Sequence, residues 1–450
     1  MSTPYHDSDS ILWNREIDRH LLEYAPSYVE LQTFGAESEL WQKLWKKGPL
    51  DTWCKMVPVT RDGTTTEDRI PIPTTFRAID VHDHSVLDEL PVSGIYVRPE
   101  YRKCMIYINA WLRRGGISTV FEDVEEEVEC AMGGQFNLVT GDRQVVRDSL
   151  STPASEHCHA MVNHELAGFS DGLADRVFAV TGHPGIGKTL FIYYLLILRL
   201  ISGLPTALQI GRTNSFHFFD SSGVYIIMHS LSSGSLRRFI PKGTWALVED
   251  GISSSEGQAN IFSSSGSPFF VVNTCSPQHR YLNYMNNKIG SETYYMLPFS
   301  WKELMLCRHL LRRPEVPTEN DTSRWYDRFG PSARACYNQS ADAYVRHNLA
   351  ITSIVRRLDW NSTVACLQKN QYPLSASLDE TDSQQLFLLV PRYRYPFAPA
   401  IVFISGYILD SFCDHNKDHF KRELQTIFLL VYGHPHSREY LCHTFEDEAI

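Results

Sequence analysis

Several features that identify a protein class at once are missing from this sequence of 450 residues. No two cysteines are spaced Cys-x-x-Cys, so the ten cysteines indicate free thiols in a reducing compartment rather than a disulfide framework or a zinc ribbon. The first ten residues contain neither a basic segment nor an apolar core, and we expect no signal peptide. The longest apolar run, 190–198, is interrupted by Arg199 and is too short to cross a bilayer. The sequence therefore predicts an intracellular protein of the cytoplasm or nucleus, outside the membrane.

An excess of positive charge is missing as well. The chain has 42 Lys and Arg against 52 Asp and Glu, a formal net charge of −10. Such a chain has no overall basic field to attract nucleic acid, which is therefore not an expected partner. Apolar residues make up 43% and charged residues 21% of the sequence. These fractions are typical of a globular protein and argue against wholesale disorder.

The apolar pattern divides the chain into three regions. Residues 1–170 are mixed, without evident chemistry. Residues 171–330 alternate short apolar runs with helical stretches, which favours an α/β domain with a mostly parallel sheet covered by helices. Residues 331–450 are predicted to be a mainly helical lid and C-terminal region. The strands predicted for the central region are 177–181, 206–210, 224–228, 244–248 and 269–273.

Outside the central region the pattern predicts fewer elements. A short strand is expected at 93–97, and 105–111 could be a strand or a helix. In the last region a further strand is expected at 386–390. The helices predicted there are 341–358, 400–413 and 419–431.

The strongest motif is a glycine-rich segment that fits the pattern Gly-x-x-x-x-Gly-Lys-Ser/Thr. Its residues are Gly182, His183, Pro184, Gly185, Ile186, Gly187, Lys188 and Thr189. Glycines permit positive φ and let backbone N–H groups approach phosphate closely. An apolar strand precedes the segment, and an apolar helix beginning near Leu190 presents its positive end there. We predict that Lys188 contacts the β- and γ-phosphates of ATP, that Thr189 holds Mg²⁺, and that the segment through Leu190 binds the nucleotide, as in a P-loop NTPase.

A pair of carboxylates follows a later apolar run. Residues 244–248 are continued by Glu249 and Asp250. A triphosphate site needs a carboxylate to hold Mg²⁺ and often another to orient the attacking water. We therefore predict Glu249 as a magnesium ligand together with Thr189, and both carboxylates as catalytic residues alongside Lys188.

Three later segments complete a pattern that resembles a known family. They are 271–277, 298–304 and 330–334, and they follow the motifs at 182–195 and 245–249. Over roughly residues 175–340 the chain resembles the P-loop ATPase module of Crinkler-type proteins of oomycetes and fungi and of the retrotransposon-hot-spot proteins of trypanosomes. That module belongs to the additional-strand class of P-loop ATPases, related to the AAA and STAND groups.

The resemblance implies two further catalytic residues. Asn273 or Thr274 would be a polar sensor of the γ-phosphate at the end of the strand beside the acidic one, and Thr274 is our choice. Arg334 would be a second sensor that opens a helix of the lid. The chain departs from the family at two points. Glu249 stands where aspartate is usual, and no Leu-Phe-Leu-Ala-Lys-like translocation segment is found, so the effector role of Crinkler proteins is not implied.

The predicted function is an ATP-binding, magnesium-dependent ATPase whose nucleotide cycle switches the flanking regions. A signalling GTPase is disfavoured because residues 286–289 lack the aspartate of the guanine-reading motif Asn-Lys-x-Asp. A small-molecule kinase would need an arginine-rich lid, for which Arg308, Arg312 and Arg313 are the candidates. A nucleotide-dependent interaction scaffold without turnover is a further alternative. We also expect a protein partner of unidentified nature, and a homo-oligomer, because ATPases of this class often receive an arginine from a neighbour.

Overall fold

A computed structural model of the chain describes residues 29–32, 35–47, 50–59, 75–80, 92–114, 176–211, 213–249, 261–262, 266–277, 290–312, 316–337, 340–369, 380–392, 395–417 and 419. The strands in these ranges are β1 (Val29–Leu31), β2 (Cys54–Pro58), β3 (Thr75–Asp80), β4 (Gly94–Tyr96), β5 (Val177–Thr181), β6 (Thr206–Gln209), β7 (Ser215–Phe219), β8 (Val224–Met228), β9 (Thr244–Glu249), β10 (Phe269–Cys275), β11 (Ser291–Tyr295), β12 (Phe387–Arg392) and β13 (Tyr395–Phe403). The α-helices are α1 (Ala36–Leu44), α2 (Pro99–Arg114), α3 (Lys188–Ile201), α4 (Ser233–Leu236), α5 (Trp301–Cys307), α6 (Glu319–Phe329), α7 (Ala333–Tyr337), α8 (Ala341–Arg357), α9 (Trp360–Lys369), α10 (Glu380–Leu386) and α11 (Gly406–His415). Two 3-10 turns lie at Leu50–Trp53 and Arg308–Leu310.

Eight strands form one large sheet in the order β1-β8-β7-β6-β9-β10-β5-β11. From β6 to β11 neighbouring strands are parallel, whereas β1, β8, β7 and β6 pair antiparallel. The predicted α/β class is confirmed, but the prediction of a mostly parallel sheet is wrong, because the sheet is mixed. The reason lies in a tight connection between β7 and β8, where the carboxylate of Asp220 accepts from the N–H groups of Ser222 and Gly223 at 2.7 and 3.3 Å. A connection this short can only join antiparallel strands.

Alternating side chains of the central strands build two apolar layers. Phe178, Val180 and Val272 pack on one face of the sheet with α2 and α3. Val177 and Val271 pack on the other face with α4 and the turn after it. Because both faces are covered, the strands are apolar at nearly every position, which is why the five predicted strands of this region were recognisable. Residues 215–219 were not predicted as a strand, and they form β7.

The first described residues join the same structure. Strand β1 pairs with β8 at the edge of the large sheet, and β2, β3 and β4 form a separate antiparallel sheet. Residues 105–111 are helical and belong to α2, whose buried face lies in the same core as α3. The predicted strand at 93–97 is confirmed as β4. The region boundaries at 170 and 330 stay predictions.

The C-terminal helices pack around one hairpin. The predicted strand 386–390 and helix 341–358 are confirmed as β12 and α8. The prediction of a helix over 400–413 is wrong in its first part, because Ala400 to Phe403 pair with β12 and the helix begins only at Gly406. Ser405 marks the change, since its side chain accepts from the N–H of Ile408 and caps α11. The predicted helix 419–431 lies outside the described residues, apart from His419.

Candidate functional site

The glycine-rich loop connects the end of β5 to the start of α3. Gly182, Gly185 and Gly187 adopt φ angles of 153°, 80° and 91°, which favour glycine. The loop is also crowded from outside. A Cβ at Gly187 would lie 2.4 Å from the hydroxyl of Tyr101, and one at Gly185 would lie 2.4 Å from the hydroxyl of Ser332. Both glycines are therefore required by backbone conformation and by close neighbours.

Lys188 stands at the first position of α3 and folds back over the loop. Its ammonium group donates to the carbonyl oxygens of Gly182 at 2.8 Å and His183 at 3.0 Å. The imidazole of His183 is buried. Burial, and secondly the charge of Lys188, lower the pKa of His183 from 6.5 to about 3, so this side chain is neutral at physiological pH. Lys188 is therefore the cation of the loop.

Two predicted magnesium ligands touch each other. The hydroxyl of Thr189 donates to the carboxylate of Glu249, the last residue of β9. Parallel pairing of β9 with β10 sets Glu249 opposite Thr274, and β10 in turn sets Cys275 opposite Thr181 at the start of the loop. The carboxyl ends of three adjacent strands thus meet at one edge of the sheet. Asp250 lies outside the described residues.

Thr274 has a buried hydroxyl at the end of β10. Its side chain is 1% exposed, and its hydroxyl has no hydrogen-bond partner among the described residues. Leaving such a group unpaired costs about 1–3 kcal/mol, a cost that a partner bound beside it would remove. Thr274 borders the cavity beside the loop, whereas Asn273, the alternative sensor, does not. Of the two predicted sensors, Thr274 is therefore the one that lies at the cavity.

A cavity of about 520 Å³ opens beside these residues, a volume in the range of small-molecule sites. Nine of the predicted site residues line it. They are Pro184, Gly185, Gly187, Lys188, Thr189, Leu190, Glu249, Thr274 and Arg334. Apolar and aromatic side chains also line the cavity, among them Val92, Phe299, Leu310, Leu311 and Tyr337. Gly182, His183 and Ile186 do not border the cavity and shape the loop from behind.

The lid reaches the loop through the segment before α7. The N–H of Ala333 donates to the carbonyl of Gly185 at 3.1 Å, and the hydroxyl of Ser332 donates to the carbonyl of Pro184 at 3.1 Å. These contacts bring the exposed side chain of Arg334 to the same cavity as Lys188. The sequence alone could not have shown this proximity, since the two segments are far apart in the chain.

Two residues before the loop were missed by sequence reasoning. Arg98 is 1% exposed and donates to the carbonyl of Ile186 at 2.7 Å. Tyr101 donates from its hydroxyl to the carbonyl of Gly187 at 2.7 Å. Burial alone would lower the pKa of Arg98, but the carboxylate of Glu303 raises it above its usual range. Pro99 at the first position of α2 was a readable helix signal, yet nothing in the sequence connects this helix to the loop.

Glu303, within the segment 298–304, has a structural role beside the loop. Its carboxylate pairs with Arg98 at 3.0 and 3.2 Å and also accepts from the N–H of Ser300 at 2.8 Å. The hydroxyl of Ser300 accepts in return from the N–H of Glu303, which makes a capping box at the start of α5. The segment therefore fixes a carboxylate that in turn fixes Arg98 under the loop.

The arginines proposed for a kinase lid are placed differently. Arg308 is buried and donates to Glu319 at 3.2 Å and to the carbonyl of Pro317 at 2.9 Å. It does not border the cavity, and neither does Arg312. Arg313, like the segment 286–289, lies outside the described residues. The placement of Arg308 and Arg312 disfavours the kinase.

The donor set fits magnesium held together with a phosphate. Within the described ranges no group of three or more His, Cys, Asp or Glu could hold a metal ion by itself. Magnesium usually keeps several waters and takes one or two protein oxygens plus phosphate oxygens. The hydroxyl of Thr189 and the carboxylate of Glu249 supply such oxygens at the cavity wall.

Comparison with known proteins adds no identification. No protein-family model matches the sequence, and no curated protein is significantly similar to it. In the part of the chain that the structure describes, no helix is long and apolar enough to span a membrane. None of the seven cysteines there forms a disulfide.

Proposed function

We propose that this protein binds ATP with Mg²⁺ and hydrolyses it, and that the nucleotide cycle switches the regions around the site. One observation carries the proposal. A single cavity is bordered by Lys188, Thr189, Glu249, Thr274 and Arg334, which come from four separate segments of the chain. A lysine, a hydroxyl, a carboxylate, a strand-end sensor and a lid arginine are the groups that phosphoryl transfer from a nucleoside triphosphate requires.

The loop supplies the phosphate contacts. Lys188 now donates to two carbonyls of its own loop, and it would exchange them for phosphate oxygens, which accept more strongly because they are charged. The N–H groups of the first turn of α3 have no partner within their own helix and carry its positive dipole end. Bound Mg²⁺, held by Thr189 and Glu249, would neutralise charge on the phosphates.

Turnover depends on the polar groups at the strand ends. The Thr274 hydroxyl would gain its missing partner in the γ-phosphate or the attacking water. Arg334 would stabilise the charge that develops on the γ-phosphate. The carboxylate of Glu249, the last residue of β9, supports this proposal, and Asp250 directly follows it in the chain. The apolar and aromatic side chains of the lining suit a purine base, and the guanine-reading motif is missing from the sequence, which favours ATP over GTP.

The test compares wild-type protein with Lys188→Ala by titration calorimetry and by steady-state release of phosphate. The variant should lose tight binding of MgATP, since each hydrogen bond to a charged group contributes about 1.5–3 kcal/mol. Lys242→Ala removes an exposed lysine before β9 and is the matched control, expected to bind and turn over normally. Equal affinity of Lys188→Ala and wild type would reject the nucleotide site. Tight binding by the wild type without phosphate release would replace the ATPase with the interaction scaffold.

A further inference from the structure

Two carbonyl groups of the phosphate loop are held by side chains of the segment that begins α2. The guanidinium of Arg98 binds the carbonyl of Ile186, and the hydroxyl of Tyr101 binds the carbonyl of Gly187. These carbonyls belong to consecutive peptide units. Both contacts span more than 80 residues of sequence, so they are made by the tertiary fold and not by the loop itself.

The direction of a carbonyl fixes the direction of the N–H in the same peptide unit. The unit is planar and trans, so its N–H points opposite to its C=O. Holding the carbonyl of Ile186 therefore turns the N–H of Gly187 away from Arg98. The carbonyl of Gly187 also accepts from the N–H of Phe191 inside α3. Holding this carbonyl points the N–H of Lys188 the opposite way, out of the N-terminal end of α3. These are amides of the kind that bind phosphate at a helix N-terminus.

The two holding side chains are themselves fixed. Arg98 also donates to the carbonyl of Pro298 at 3.0 Å and to the carboxylate of Glu303, and its guanidinium lies 4.0 Å from the ring centre of Phe299. The ring of Tyr101 packs at 5.4 Å from Phe191 and 5.8 Å from Tyr194 of α3. Neither side chain can turn away without breaking buried contacts.

The geometry points to Arg98 and Tyr101 as positioning residues that aim the amides of Gly187 and Lys188 at the β-phosphate of the nucleotide. Helix α2 is then a working part of the nucleotide site and not an independent recognition region. This inference rests on the proposed function for the identity of the ligand, whereas the orientation of the loop can be measured without any ligand. Hydrogen bonds from these amides to the β-phosphate are equally strong in the ground state and the transition state. Weakening them therefore raises KM and leaves kcat nearly unchanged.

The test is Tyr101→Phe, which removes one hydroxyl and keeps the ring packing. Hydrogen exchange of the peptide covering 184–190, without nucleotide, should rise about five- to tenfold, in line with the loss of one hydrogen bond. Affinities for MgADP and MgATP should fall by about the same factor, and KM should rise while kcat stays within about twofold. Arg98→Lys keeps the charge but loses the forked donor, and it should act in the same direction.

Tyr407→Phe is the matched control. The hydroxyl of Tyr407 bonds to Asn348 at 3.0 Å and to Arg328 at 2.7 Å among the C-terminal helices, so its loss should leave exchange of the loop and both affinities unchanged. Unchanged loop exchange in Tyr101→Phe overturns the inference, and so does a rise spread evenly over the whole protein. A selective rise with unchanged MgADP affinity also overturns it. Failure of wild-type protein to bind MgADP or MgATP rejects the proposed function, and the exchange result still decides whether Tyr101 holds the loop.

Discussion

Thr189 and Glu249 are hydrogen bonded across the cavity edge, the hydroxyl of one at the start of α3 and the carboxylate of the other at the end of β9. Both groups offer oxygen atoms, the ligands that hard cations such as Mg²⁺ prefer. Their contact shows that the helix start and the strand end are within reach of one ion. Removing the charge of Glu249 is therefore the most direct test of the predicted magnesium site.

Glu249→Gln keeps the size of the side chain and removes its charge. The gain in ATP affinity that Mg²⁺ provides should shrink about tenfold or more, because a neutral amide is a weaker ligand for a hard cation. Calorimetry with ATP in Mg²⁺ and in EDTA measures this ratio. Glu30→Gln, at an exposed position of β1, should keep the wild-type ratio. A wild-type ratio in Glu249→Gln would show that Glu249 is not a magnesium ligand.

Thr274→Val replaces the unpartnered hydroxyl by a methyl group of similar shape. The free energy of unfolding should stay equal or rise by about 1 kcal/mol, since no internal hydrogen bond is lost, whereas kcat should fall about tenfold or more. Urea unfolding and phosphate release measure the two quantities.

Thr363→Val is the control for this change. Thr363 of α9 is also 1% exposed, with a hydroxyl that lacks a partner among the described residues, but it does not border the cavity. Its removal should affect stability in the same way and leave kcat unchanged. A loss of stability in Thr274→Val together with normal turnover would make that hydroxyl a structural group.

Arg334→Ala should slow hydrolysis more than it weakens binding of ADP. A lid arginine of this kind interacts mainly with the γ-phosphate, and the loss of its charged hydrogen bonds should lower kcat about 10- to 100-fold. Single-turnover hydrolysis and ADP calorimetry separate the two effects. Arg346→Ala, on the exposed side of α8, provides the comparison. Normal hydrolysis by Arg334→Ala would remove this residue from the catalytic set.

His183 should make the protein less stable in acid. Its pKa is 6.5 in the unfolded chain and about 3 in the folded protein, so between these values only the unfolded state takes up the proton. The free energy of unfolding should therefore fall as the pH falls below 6.5, by about 1.4 kcal/mol for each pH unit from this residue. Unfolding of His183→Asn in urea at pH 7.0 and 5.5 should show a smaller loss than the wild type. His415→Asn, at an exposed position, should keep the wild-type dependence, and an equal dependence in His183→Asn would contradict the assignment.

Local patterns predicted those parts of the site that are built from consecutive residues. The loop from Gly182 and the carboxylate of Glu249 directly follow apolar runs. A strand predicted from the apolar run therefore also predicted where these groups lie. Arg98 and Tyr101 act on backbone carbonyls of a distant segment, and a carbonyl leaves no trace in the amino-acid sequence. Their role could not be read from the sequence for that reason.

The errors in the fold have equally specific causes. Residues 215–219 read Ser-Phe-His-Phe-Phe, an alternation that a half-buried strand produces, and they contain no continuous apolar run like those of the central strands. Residues 400–403 are all apolar, and periodicity cannot separate such a strand from the start of a buried helix. Antiparallel pairing of β7 and β8 depended on a turn built by the Asp220 carboxylate, which becomes evident only once both strands are known.

The contact between Ala333 and Gly185 has a mechanical consequence. Helix α7 starts at the glycine-rich loop, and this backbone contact is one attachment of the C-terminal helices to the central domain. The next helix, α8, has 17 residues and a length of about 25 Å. A tilt of roughly 10° about this attachment would carry its far end roughly 4 Å. For any rotation about this contact, the far end of α8 would therefore move much further than the loop.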